Sequence, residues 1–271
     1  MRCWRLLTLF VLLLLAGRAA AQGELFETHG AFPGDAAIDT EAREARLRVV
    51  LGAGIGVAPT YPGSDGYRAR VVPALHLAYG PVFFGAGGLG LNLHRAGGLR
   101  LGVNLLPSPG RRESADPHLQ GLGDVDATLR AGVFAVYGSR GFVARANIAS
   151  DIAGNKQGTI ARFDLFGRFP ASERLALFAG PGLTWGNREY MQSFFGVTAE
   201  QSARSGLPSF DAGSGVASVR LAAGGIYRLV ERWRLVASYS VARLTGDAGA
   251  SPIVQSRTQQ FFLVSALYLF R

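Results

Sequence analysis

Cysteine and lysine are nearly missing from this chain. Cys3 is the one cysteine and Lys156 the one lysine in 271 residues. A lone thiol excludes a disulfide framework, and no set of cysteines exists to hold zinc. With no lysine beside a glycine-rich loop there is no phosphate cradle, and no helix pattern follows the run GAGIG from Gly52 to Gly56. Histidine is scarce as well. His29, His76, His94 and His118 fall one per segment, so neither a zinc site nor a serine–histidine pair is marked. Long apolar runs are also lacking: beyond the N-terminus no stretch reaches the roughly 18 apolar residues of a spanning helix. The arginines come singly rather than in clusters, which argues against nucleic acid as a partner. No catalytic, cofactor-binding or metal-binding residue is expected.

The N-terminus has the pattern of an export signal. Arg2 and Arg5 precede an apolar run from Leu6 to Ala16, and Ala19-Ala20-Ala21 offers a cleavage site before Gln22. The expected organisation is a signal peptide over 1–21, a periplasmic leader over 22–45 and one large domain over 46–271. The formal charge of +9 becomes +6 once Arg2, Arg5 and Arg18 are removed with the signal.

What the sequence has in abundance is alternation. From Val125 to Tyr137 every odd position is apolar, while Asp124, Asp126, Thr128, Arg130 and Gly132 occupy even ones. Such a period of two describes a strand with one apolar and one polar face, and it runs longer than a usual soluble strand. The pattern recurs from Leu47 to Val57, around Phe142 to Ile148, Phe163 to Phe169, Ala217 to Tyr227, Trp233 to Val241, and Gln259 to Phe270. The polar faces hold glycines and isolated charges, as an enclosed lumen would. Tyr79, Tyr137, Trp185, Tyr227, Trp233 and Tyr268 lie near strand ends, where an outer-membrane barrel carries its aromatic girdles. Strands can cross hydrocarbon only in a closed barrel, because an open edge leaves backbone groups unpaired. The expectation is an all-β transmembrane antiparallel barrel whose apolar band meets outer-membrane lipid.

Loop lengths set the topology. Short turns at 79–81, 137–140, 169–172 and 229–232 are placed in the periplasm; longer connections at 60–67, 107–121, 152–158, 187–213 and 245–257 are placed outside. The stretch 79–107 must then hold an odd number of passes. Three short strands, split near Gly87-Gly88 and near 94–97, give twelve strands; a single irregular pass gives ten. Twelve is preferred.

The longest external connection contains YMQSFFGVTAEQSARSGLPSF, Tyr190 to Phe210. It shows neither the period of a strand nor a sustained helical stripe, yet it is rich in aromatics. It is expected either to fold into the barrel mouth or to face a partner. Tyr190, Met191, Phe194, Phe195, Gly206, Leu207 and Pro208 are the candidate residues.

Five segments in order resemble the family called MipA/OmpV. They are Tyr61-Pro62-Gly63-Ser64, Gly121 to Asp126, Ala179 to Trp185, the run from Tyr190 through Gln201 to Pro208, and Gly246-Asp247-Ala248 with Ser251 to Val254. The resemblance implies an outer-membrane protein. The family's namesake joins a murein lytic transglycosylase to a bifunctional murein synthase, and other members are porin-like. Barrels of this kind commonly end on an aromatic; here Arg271 follows Phe270.

Arg48, Arg100, Arg130, Arg145, Arg162, Arg220 and Arg234 are expected in the lumen, paired with Asp124, Asp126, Asp151 and Asp164, because an unpaired buried charge is costly. The first functional expectation is a non-enzymatic scaffold for cell-wall enzymes. The alternative is a small anion-preferring porin; a lipid-modifying enzyme lacks its constellation.

Overall fold

The computed structural model describes residues 47–270 except residue 87. The expected signal peptide and leader lie outside the described residues. Twelve antiparallel strands follow one another round a closed barrel. They are β1 (Arg48–Pro59), β2 (Tyr67–Tyr79), β3 (Val82–Gly85), β4 (Gly88–Ala96), β5 (Leu99–Ser108), β6 (Thr128–Gly138), β7 (Phe142–Asp151), β8 (Thr159–Pro170), β9 (Leu175–Gly186), β10 (Gly215–Arg228), β11 (Trp233–Leu244) and β12 (Thr258–Phe270). β1 and β12 close the cylinder, from Val49↔Phe270 to Val57↔Phe262.

The period of two does its work directly. Leu51, Ile55, Val133, Ile148, Phe163, Leu221, Leu235 and Val264 are exposed on the outer face, where they meet lipid. Aromatic contacts gather at the periplasmic end of the wall: Tyr137 with Phe142 at 5.6 Å between centroids, and Trp233 with Tyr268 at 5.3 Å. Rings with a polar edge suit the boundary between hydrocarbon and water.

The stretch after Tyr79 resolves as three strands, β3 to β5, so the count is twelve and not ten. The β4–β5 turn runs through Gly97 and Gly98, both in the left-handed region at φ 55° and 84°.

Two expectations change. β6 begins at Thr128, not at Asp124; the residues before it join the outer connections, and Val125 pairs with Arg111 in an isolated bridge. The polar groups there find partners above the barrel instead of continuing the ladder. Asp124 accepts from Arg112 at 2.9 Å and from the Glu113 N–H at 2.7 Å, and the Asp126 carbonyl accepts from the Gln157 amide. The inner face is also less polar than the alternation suggested. Phe166, Phe178 and Ala222 form one buried cluster, and Val50, Val236 and Leu267 another. β12 explains part of this, because its run FFLVSALYLF is apolar on both faces. At Gly224 a Cβ would run into the Phe178 ring, so glycine lets the ring lie across the neighbouring strand.

Candidate functional site

The aromatic connection forms two helices, α1 (Arg188–Phe195) and α2 (Ala199–Ser205); a third, α3 (Gly246–Ala250), lies between β11 and β12. The sequence reading missed them, although the signals are short-range. Asn187 caps α1, its side-chain oxygen accepting from the Tyr190 N–H at 3.0 Å and from the Thr159 N–H at 2.9 Å. Thr198 and Gln201 make a reciprocal capping box on α2, and Gly206 ends it at φ 75°. Tyr190, Met191, Phe194 and Phe195 then fall at i, i+1, i+4 and i+5, one face of a two-turn helix.

That face is turned into the barrel mouth. Tyr190, Met191, Phe194 and Phe195 are 7%, 1%, 6% and 2% exposed, clustered with Ile160, Ala217 and Leu244 of the wall and Ala248 of α3. Of the two fates open to the segment, it folds inward. The end of α1 is capped from the surrounding connections. Arg111 donates to the Phe194 carbonyl at 2.9 Å and Ser251 to the Phe195 carbonyl at 2.6 Å. Arg111 is itself 5% exposed. Burial pushes its guanidinium down to about 10, against the opposing pull of Tyr61 and Asp124.

A second apolar cluster lies beside the first. It joins Tyr61, Leu119, Leu122, Val197 and Ile253, with Leu207 and Phe210 against it. The Tyr61 hydroxyl donates to the Ile253 carbonyl at 3.0 Å and to Gln255 at 2.7 Å. Burial, then Asp116, raises the Tyr61 pKa well above that of a free phenol. Gly63 is at φ 102°, and a Cβ there would lie 2.6 Å from the Val254 side chain, so only glycine lets these two connections touch. α2 buries no residue and lies over the plug, where Gln201 donates to the Leu122 carbonyl at 2.6 Å. Four of the five segments that carry the family resemblance meet in this plug; the fifth, Ala179 to Trp185, is in β9. Gly206 and Leu207 follow α2, and Pro208 leads on towards the Val197–Phe210 bridge.

The expected lumenal charges separate into distinct groups. Arg220 and Asp164 form a true ion pair, with side chains 7% and 20% exposed. The pair crosses β9 at Gly182, where a Cβ would strike the carboxylate. Arg130 is 1% exposed and stands opposite Asp151 in register. It donates to the Gly158 carbonyl at 2.8 Å, and its guanidinium lies 5.5 Å from the centroid of the Tyr190 ring. It therefore ties the wall to the plug. Asp151 accepts from Thr128 and from the N–H groups of Ala153 and Gln157, and so orders the β7–β8 connection. Arg145 and Arg162 face inward from β7 and β8, Arg145 opposite Asp164 in register. Arg48 and Arg100 face inward near the periplasmic ends of β1 and β5. Arg234 staples the β10–β11 turn through the carbonyls of Val230 and Glu231, at 3.1 and 3.0 Å. Asp124 and Asp126 belong to the outer connections, not to the lumen.

Among the histidines, His76 is buried on β2, His94 is exposed after a bulge in β4, and His118 lies 3.0 Å from the Pro252 carbonyl. Among the described residues no group of three His, Cys, Asp or Glu could hold a metal ion.

The sequence matches the family model described as MltA-interacting protein MipA over residues 51–270. It is similar to the MltA-interacting protein of Escherichia coli (strain K12), 28% identical over 211 residues, which is 75% of this chain and 83% of that protein. Among solved structures it is similar to the translocator domain of the autotransporter NalP from Neisseria meningitidis (TM-score 0.47, 13% identity, 94% of this chain and 97% of that one). It is also similar to the COG4313 outer membrane channel from Pseudomonas putida F1 (TM-score 0.46, 13% identity, 86% and 98%).

Proposed function

The chain belongs to the MltA-interacting protein MipA family, it is a β-barrel of the outer membrane, and from that premise we propose that it is a non-enzymatic scaffold for cell-wall growth. It holds a murein lytic transglycosylase, and with it a bifunctional murein synthase, against the inner surface of the outer membrane. The observation that carries this reading, beside the family, is the plug. α1 fills the outer mouth with four buried large side chains, which is ill suited to free solute passage. The partner surface is then the periplasmic side: the short turns and the leader over 22–45.

Chemical cross-linking in native envelopes followed by mass spectrometry tests this. A scaffold captures a murein hydrolase or synthase, and deletion of 22–45 reduces the capture while the barrel still folds. Capture of neither enzyme overturns the reading.

One observation favours a second reading, a small anion-preferring channel. Arg100, Arg145 and Arg162 join Arg220 on the inner wall, against Asp164. Planar-bilayer recording separates the two. A channel gives conductance steps with anion preference whether or not the leader is present; a scaffold with a seated plug gives none.

A further inference from the structure

Among the described residues the barrel wall is continuous except along one seam. β2 pairs with β1 along nearly its full length, from Arg48↔Ala78 to Pro59↔Tyr67. On its other side only Leu77, Ala78 and Tyr79 meet β3. β3 is four residues long and turns back into β4 at Gly85↔Gly88. β4 in turn accompanies β5 no further than Leu89↔Leu105. Between Tyr67 and Leu75, β2 therefore has no strand on that side among the described residues. This is a notch in the outer half of the wall, bounded by β2, the β3–β4 tip and the end of β5.

The residues at the notch agree with an open edge. Pro73, which has no N–H, sits mid-strand in β2, a place proline takes on edges and not within a paired sheet. An antiparallel edge turns the N–H and C=O of alternate residues outward. At this depth the surroundings are hydrocarbon: Val71 is 68% exposed on the lipid face, and open edges are excluded there unless something satisfies them. On the inner face of the same edge stand Arg68 and Arg70, with Val72 and Ala74 below them. Arg68 donates to the Ala115 carbonyl at 2.7 Å. Arg70 makes no hydrogen bond or ion pair with the described residues.

An occupant of this notch must bring apolar chain, hydrogen-bonding groups and negative charge together. We propose that it is a lateral binding site for a net-anionic, phosphate-bearing lipid of the outer leaflet. The phosphate lies on Arg68 and Arg70, as guanidinium forks hold phosphate, the ester and headgroup oxygens accept from the outward N–H groups of the edge, and an acyl chain runs down the lipid face over the exposed Val71 and Pro73. This does not depend on the scaffold reading, since the notch opens into the bilayer and not into the periplasm.

The test uses the full mature chain in nanodiscs of phosphatidylglycerol mixed with phosphatidylcholine, released for native mass spectrometry. Phosphatidylglycerol is expected to be retained about tenfold over phosphatidylcholine, with the preference lost in Arg68→Gln/Arg70→Gln. It should persist in Arg140→Gln/Arg174→Gln at the inner turns, which lowers the net charge equally. Equal retention of the two lipids, or the same loss in both double variants, overturns the proposal. Displacement of the lipid by millimolar inorganic phosphate also overturns it, because the site would then be one for a free anion. Hydrogen exchange checks the notch itself. The outward amides of 67–75 should exchange faster than those of β11 in phosphatidylcholine alone and slow down when phosphatidylglycerol is added. Equal protection in both lipids would mean that the edge is already covered.

Discussion

The two ends of this barrel are built differently. The inner end is closed by turns a few residues long, such as Gly97-Gly98 and Ser139 to Gly141, held by local bonds of the kind Ser139 and Ser172 make with the backbone beside them. Among the described residues the outer end carries three α-helices and two apolar clusters, and its connections bond to one another across long sequence separations: Tyr61 to Gln255, Arg111 to Phe194, Gln201 to Leu122. The inner end returns the chain; the outer end is a small folded body seated in the mouth. Their difference teaches where function can be encoded. Inner turns are tolerant of change one by one, whereas the plug stands or falls as a unit, because each connection supplies a partner for another's buried polar group.

Replacing plug aromatics should therefore have the largest effect. Phe194→Ser with Phe195→Ser removes two rings from the first cluster, and truncating each buried phenylalanine costs roughly 3–5 kcal/mol. The expected outcome is an opened outer mouth: single-channel recording should show larger or more frequent conductance steps than the unaltered protein gives, while the heat-modifiable gel shift of the barrel remains. An inner-end counterpart, Ser172→Ala, should leave both readouts unchanged. If the two substitutions acted alike, the contrast between the ends would be wrong.

Next comes the wall between the ends. Arg220→Met leaves Asp164 as a half-buried carboxylate without its partner, and breaking a buried pair costs roughly 3 kcal/mol. Urea unfolding in detergent should show that loss. Arg220→Met with Asp164→Leu should recover most of it, since an apolar pair can replace a buried ionic one. Failure of the second change to rescue would mean that Arg220 stabilises through other contacts.

The barrel was legible in the sequence because lipid enforces a strict rule. Every second side chain from Leu129 to Tyr137 is apolar, as a lipid-facing strand requires. The split of 79–107 could be read from Gly88 and Gly97, whose positive φ marks the turns. The plug was less legible. Tyr190, Met191, Phe194 and Phe195 do form a helical stripe, but it lasts only two turns, too short to stand out by periodicity. The caps at Asn187 and Thr198 were the readable signals. The error at Asp124 has a different origin. Alternation continues past the point where the ladder stops, because Val125 still pairs with Arg111 in an isolated bridge. Nothing local distinguishes Arg130, held by carbonyls and a ring, from Arg220, held by an acid; that depends on neighbours brought in from other strands.

The smallest effect sharpens the comparison most finely, because it resolves a single hydroxyl in the second cluster. Tyr61→Phe removes two hydrogen bonds, to Ile253 and Gln255, and should cost about 1 kcal/mol at pH 9. The pKa of Tyr61 is raised in the folded state by burial and by Asp116, so the folded protein keeps its phenol proton where the unfolded chain begins to lose it. A raised pKa contributes stability that is fully present below the unfolded value near 10 and lost as pH climbs from there towards the folded value. The gap between the unaltered protein and Tyr61→Phe should therefore narrow between pH 9 and pH 11. Arg111 works the other way: its lowered value means that the cost of burying its charge is relieved as pH rises above about 10. Tyr61 is one of the groups that oppose this lowering, so urea midpoints at the two pH values report the Tyr61–Arg111 pair, in which loss of the phenol proton drives the narrowing. A gap that stayed constant would show that Tyr61 titrates as freely as an exposed tyrosine, and that the outer body is no better sealed from water than the inner turns.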